Sequence, residues 1–147
     1  MSETQLSLDG VALRQHEEPY LFDYEPYAHQ LALDELVRSG DGFVAVNDSP
    51  TGGGKTSSWL APALSEGIDT IAIYPTNALV VDQTDQVKDA RNAVDHEVSV
   101  LTVTAERLAE KRQEFAVQSN GEAIHQWHRA EKRKGNQVIL LTNPDIF

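Results

Sequence analysis

The sequence predicts a parallel α/β domain, on three observations. Short apolar runs rich in β-formers alternate with segments of helical periodicity. The first of these runs leads into the glycine-rich stretch Ser49-Pro50-Thr51-Gly52-Gly53-Gly54-Lys55-Thr56. At 147 residues the chain is long enough for one domain with a proper core, or for one piece of a larger domain. Strands alternating with helices imply a parallel sheet with helices on both faces.

The elements follow in order. Residues Met1 to Pro19 are polar and acid-rich, with an apolar alternation through Leu6, Leu8, Val11 and Leu13 that fits a weak strand and a mobile arm equally. Residues 1–20 are assigned to this arm and 21–147 to the domain. From Tyr27 to Arg38, Leu31, Leu33, Leu36 and Val37 have helical spacing, and Ser39-Gly40-Asp41-Gly42 ends the run. Phe43-Val44-Ala45-Val46 reads as a strand buried on both faces. After the glycines come a helix from Thr56 to Ser65, a strand over Thr70 to Pro75, a helix from Ala78 to Val94 and a strand over Val98 to Val103. Ala105 to Lys134 reads as one charged helical stretch with a break at Asn120-Gly121, and Gln137 to Thr142 as a fourth strand.

Composition bounds the partners. There are 12 Lys and Arg against 23 Asp and Glu, a net charge of −11, which argues against gripping nucleic acid by charge alone. The acids are spread along the chain, a pattern that a high-salt cytoplasm favours because exposed carboxylates keep a protein hydrated where long-range attraction is screened. A halophilic source is expected on that ground, and acidity then leaves room for a nucleic-acid partner. With no cysteine, no long apolar run and no signal stretch, the reading is a soluble cytoplasmic protein without a membrane partner.

Most of the chemistry is in the glycine loop. The general phosphate-loop pattern is Gly, four residues, then Gly-Lys-Ser/Thr. Ser49 takes the first position, and Gly54, Lys55 and Thr56 match the rest. Glycines let backbone N–H groups turn inward around phosphate oxygens, and the following helix presents its positive end to them. Lys55 would reach the β- and γ-phosphates of ATP, and the Thr56 hydroxyl would hold Mg²⁺.

Four stretches carry a family resemblance. "SPTGGGKT" resembles the loop of superfamily 2 helicases, and Trp59 and Pro62 follow Lys55 as in the helicase helix after it. "FDYEPYAHQ" resembles the adenine-reading element of these enzymes, with Pro26 and Gln30 in step. That makes Gln30 the adenine reader, since its amide donates and accepts at once, and Tyr27 a stacking neighbour. Phe22 stands where the DEAD-box version has glycine, the mark of a relative and not a DEAD-box protein proper. "YPTNALVVDQ" resembles the first nucleic-acid-contacting motif, although Asn77-Ala78 replace its Arg-Glu pair and the Gln comes one place late. "TNPDIF" falls where the next backbone-contacting motif belongs. Pro75, Thr76, Asn77, Thr142, Asn143 and Pro144 are therefore the candidate nucleic-acid residues, of types that hydrogen-bond phosphates without reading bases.

Of these, "SPTGGGKT", "YPTNALVVDQ" and "LLTNPDIF" together most resemble the CRISPR-associated DNA helicase of type I systems, in its type I-D form. That resemblance implies a RecA-like phosphate-loop domain, incomplete at its C-terminal end. It also implies ATP and Mg²⁺, a single DNA strand of an opened R-loop, a guide-RNA interference complex, and a nuclease on a separate chain. The alternatives are another superfamily 2 helicase, or an inactive nucleotide- or partner-binding module. Hydrolysis needs a Walker-B Asp and a residue that orients water. In this family both come from an Asp-Glu box on a strand, whereas the one Asp-Glu pair here, Asp34-Glu35, falls in the first helix. The 147 residues are therefore expected to bind nucleotide without turning it over, with apolar sheet edges exposed and marginal stability. His125 and His128, three apart with His96 elsewhere, read as a helix face rather than a metal site. Arg129, Lys132, Arg133 and Lys134 read as a solvated helix end.

Overall fold

A computed structural model of the protein describes residues 20–146. The arm expected over residues 1–20 lies outside them except for Tyr20, as does Phe147. The chain divides into two units, Met1–Glu66 and Gly67–Phe147.

In the first unit, α1 (Ala28–Ser39) packs against α2 (Lys55–Ser65). Gly40 ends α1 in the left-handed region at φ 72, its N–H bonded to the Val37 carbonyl. Pro62 sits inside α2, fully buried among Leu60, Ala61, Ala63 and Leu64, so packing offsets the ladder bond it removes.

The expected strand at Phe43–Val46 does not form. The segment has no strand pairing, and Val44 and Val46 are 84% and 73% exposed. A β-forming run becomes a strand only when a second segment pairs with it, and propensity within the run does not supply one.

That unit carries a three-stranded parallel sheet of β1 (Thr70–Ile73), β2 (Val98–Thr102) and β3 (Gln137–Thr142), in the order β1-β3-β2. The central strand β3 is buried at every residue, as its unbroken apolar run predicts. Leu140 pairs with Ile71 on one side and Leu101 on the other, which fixes the faces. One face holds Leu101, Val103, Val138 and Leu140 against Leu108 of α4 (Ala105–Phe115) and Ala123 of α5 (Asn120–Arg133). The other holds Ile139 and Leu141 and is covered by α3 (Asn77–Ala90), whose Thr84 hydroxyl meets that of Thr102 at 3.1 Å. Helices thus lie on both faces, the predicted α/β architecture, while Ile71 and Ile73 on the edge strand β1 stay exposed.

The helical stretch from Ala105 breaks four residues earlier than its sequence suggests. Ala116 adopts φ 54, with the Ala116 and Val117 N–H groups bonded to the Gln113 and Arg112 carbonyls. That is a Schellman stop without glycine, held by Val117 packing on the core. Ser119 then caps α5 in a reciprocal box with Glu122. No helix among the described residues is long and apolar enough to cross a membrane.

Candidate functional site

In the first unit the glycine loop turns into α2 as its sequence predicts. Gly52 and Gly54 take φ 81 and 69, which L side chains rarely adopt, and the Gly53 N–H closes a turn onto the Pro50 carbonyl at 3.0 Å. Pro50, Thr51 and Gly52 are exposed, Gly53 is buried, and Gly54 is the N-cap of α2. Lys55 is the first residue of that helix and exposed, with Thr56 half-buried beside it. The α2 N-terminus and a cationic side chain therefore occupy one place, where an anion is stabilised.

Gln30 ties α1 to this loop. Its side-chain oxygen accepts from the Tyr27 N–H at 2.8 Å, and its amide nitrogen donates to the Gly54 carbonyl at 3.1 Å and the Ser57 hydroxyl at 3.3 Å. Gln30 is 0% exposed. Reading an adenine edge therefore requires the amide to release one of these partners. Tyr27, the α1 N-cap, is half-buried and stacks on His29. Tyr20 donates its hydroxyl to the Ser57 carbonyl at 2.8 Å, and burial, with Tyr24 beside it, pushes its phenol up so that it remains a donor.

Two buried side-chain polar atoms among the described residues lack a partner, His29 Nε2 and Ser49 Oγ. Buried hydroxyls are normally satisfied, so an unpaired one in a glycine loop fits an anionic ligand that would accept from it. Ser49, the loop glycines, Lys55 and Thr56 together fit a polyphosphate with its metal. His29 is absent from the sequence-based candidates, because its position beside Gln30 is visible there and its burial is not.

In the second unit the candidate nucleic-acid residues lie at the C-terminal ends of β1 and β3. The Asn143 amide donates to the Asn77 side-chain oxygen, joining the two strand-end turns, while its own oxygen accepts from the Asp145 N–H at 2.9 Å. Pro75, Thr76, Asn77 and Pro144 are exposed, with the Thr76 hydroxyl capping α3 by accepting from the Leu79 N–H. Thr142 and Asn143 are buried, and the Thr142 hydroxyl is given to the Val103 carbonyl at 3.1 Å, which leaves both residues supporting the turn from below.

The charged end of α5 is anchored. Asp69 accepts from the Val138 N–H at 2.9 Å, Lys132 at 3.1 Å and His128 at 3.2 Å. Burial pushes its carboxyl up, but these three donors outweigh that and hold it below its ordinary value. Lys134 pairs with Glu131 at 2.8 Å, so two of the four clustered cations are engaged within the unit.

A glycine loop that turns into a helix headed by Lys-Thr, in a chain that also carries a parallel α/β unit, is the arrangement of a phosphate-loop protein. The chain belongs to the DEAD/DEAH box helicase family, whose model matches residues 27–142. No curated protein matches it. Among solved structures, the DUF1998 helicase MrfA bound to DNA is similar at 22% identity and TM-score 0.54, over 90% of this chain and 17% of that one. A second MrfA structure is similar at 24% identity and TM-score 0.49, over 83% and 17%. The chain thus spans 17% of these relatives' length, and the first of them shows the shared fold.

Proposed function

We propose that this protein is an ATP-dependent DNA helicase or translocase, to which these residues contribute the phosphate cradle and two strand-end contacts. The observation that carries the reading is the loop from Ser49 to Thr56, folded onto the α2 N-terminus with left-handed Gly52 and Gly54, in a chain of the helicase family. ATP supplies a high-energy phosphoanhydride when bound. Lys55 would neutralise charge on its β- and γ-phosphates, Thr56 would offer its hydroxyl to Mg²⁺, and the loop N–H groups would orient the chain of phosphates. Gln30 and Tyr27 are the residues assigned to the adenine. DNA as the polymer is supported by the DNA-bound state of the similar MrfA structure. Its sugar-phosphate backbone would meet Pro75, Thr76, Asn77 and Pro144, with Thr142 and Asn143 fixing the turns.

Within that reading, the likeness of "SPTGGGKT", "YPTNALVVDQ" and "TNPDIF" to the type I-D CRISPR helicase supports a cytoplasmic role in interference against invading DNA. The substrate is then a displaced R-loop strand, and the partners are a guide-RNA complex and a separate nuclease. The lack of an Asp-Glu pair after an apolar run favours a second reading for the 147 residues taken alone, a module that binds nucleotide without hydrolysing it.

The test is a titration of ATP with Mg²⁺ into the full chain and its Lys55→Ala variant. Loss of one charge-assisted bond predicts affinity about tenfold or more weaker in the variant. Equal affinities would exclude nucleotide binding through this loop.

A further inference from the structure

We propose that Asn47 is a positioning residue of the phosphate loop, tying the entry of the loop to its exit through Ser58 of α2. The inference rests on the nucleotide reading above and adds to it two residues outside the loop pattern, one before Ser49 and one after Thr56.

Three hydrogen bonds run head to tail between the two ends. The Ser49 N–H donates to the Asn47 side-chain oxygen at 3.0 Å, the Asn47 amide nitrogen donates to the Ser58 hydroxyl at 3.1 Å, and that hydroxyl donates to the Lys55 carbonyl at 2.6 Å. Each bond fixes the sense of the next. Ser58 is 2% exposed and has a single hydroxyl proton, which the Lys55 carbonyl takes, so towards Asn47 it can only accept. The Asn47 amide must then present its nitrogen to Ser58, which leaves its oxygen for the Ser49 N–H.

Between Ser49 and Lys55 stand a proline, a threonine and three glycines, with Gly52 and Gly54 at positive φ. Such a stretch has few side chains with which to hold its own shape, and ordering it around a ligand costs conformational entropy. A chain of bonds that joins its ends meets part of that cost before the ligand arrives. It also determines what Ser49 can offer: its N–H is given to Asn47, so its buried, unpaired hydroxyl is the donor left for a phosphate oxygen. Gln30 reaches Gly54 and Ser57 from α1 while Asn47 reaches Ser58, so two separate side chains hold the loop to the first turn of α2.

Three variants of the full chain, Asn47→Ser, Ser58→Ala and the two combined, test this by titration with ATP and with inorganic tripolyphosphate, each with Mg²⁺. A hydroxyl at position 47 still accepts from the Ser49 N–H but is too short to reach Ser58, so Asn47→Ser removes the tie to α2 and keeps the turn. Each single variant loses one net hydrogen bond and binds ATP about fivefold more weakly. Because both changes break one chain of bonds, the double variant is no weaker than the weaker single one. Tripolyphosphate affinity falls by the same factor, since the cradle and not the base site is disturbed. The assignment is overturned, even where wild type binds ATP well, by an Asn47→Ser variant with wild-type affinity, by a double variant at the product of the two single losses, or by a loss seen with ATP and absent with tripolyphosphate. Should Ser58→Ala fail to fold, Asn47→Ser decides through the same two ligands. A wild-type chain that binds neither ligand overturns the nucleotide reading and this inference with it.

Discussion

At the scale of single residues, Gly54 carries the tightest constraint in the loop. A Cβ there would stand 2.4 Å from the Gln30 amide nitrogen and 3.3 Å from the Ser57 hydroxyl, on a backbone at φ 69. Gly54→Ala therefore combines left-handed strain with displacement of a buried, hydrogen-bonded amide, for a cost of about 2–3 kcal/mol. Thermal unfolding of the variant should show a lower midpoint, and Gln30→Ala in the same background should recover part of the loss by clearing the clash. A Gly54→Ala chain as stable as wild type would mean that Gln30 is not wedged against the loop. Asp69 gives a second residue-scale prediction, with its sign set by the lowered pKa. Its carboxylate is stabilised in the folded state, so its contribution is fully present above the unfolded value near ~4 and disappears as pH falls through the lower folded value. Urea midpoints of wild type and Asp69→Asn should differ by a constant amount from neutral pH down to about pH 5 and converge in more acidic buffer. A gap that persists undiminished at the acid end would assign the effect to packing instead of charge.

At the scale of elements, α5 is specified by its first four residues as much as by its apolar face. The Ser119 hydroxyl accepts from the Glu122 N–H at 3.1 Å, and the Glu122 carboxylate accepts from the Ser119 N–H at 3.2 Å. Ser119→Ala removes one arm of this box and should lower stability by about 1 kcal/mol, visible as reduced helicity and an earlier thermal transition by circular dichroism. An unchanged transition would mean that the packing of Ala123, Ile124 and Trp127 alone sets the start of the helix. The same elements indicate which parts of the molecule are legible from sequence. The phosphate loop is, because its pattern is local and depends on glycine φ values that few residues can replace. So is β3, whose uninterrupted apolar run suits only a central strand. The Ser119-x-x-Glu122 box marks the start of α5 and places the helix break at 116–119, ahead of Asn120-Gly121. Phe43–Val46 has the composition of a strand and forms none, because pairing is a property of two segments and propensity reports on one. The role of Gln30 as a clasp on Gly54 and the burial of His29 were out of reach for a related reason. The clasp depends on α1 meeting a loop more than twenty residues away, and no periodicity in α1 encodes that contact or shows which residues of its first turn are buried.

At the scale of the whole molecule, the net charge of −11 acts against compactness. Many of the ion pairs among the described residues are local, between residues three or four apart on one helix, as in Arg38 with Asp34, Lys88 with Asp85 and Lys111 with Glu114. Exposed pairs of this kind contribute little each, so salt removes little stabilisation by screening them. The excess of acids has no such local partner, and its mutual repulsion is relieved as the Debye length contracts from about 10 Å at 0.1 M to about 3 Å at 1 M salt. Relief should therefore exceed loss, and the melting temperature should rise by several degrees as KCl is raised across that range. The shape of the curve separates this from general salting-out of apolar surface. Screening is nearly complete once the Debye length falls below the spacing between charges, so the rise should be steep at low salt and then flatten, whereas preferential exclusion of salt grows steadily with concentration. A flat response at every concentration would mean that the acids are spaced widely enough not to interact, and would remove the main physical support for a halophilic source. A steep early rise that then flattens would identify repulsion among the acids as a destabilising force that salt relieves.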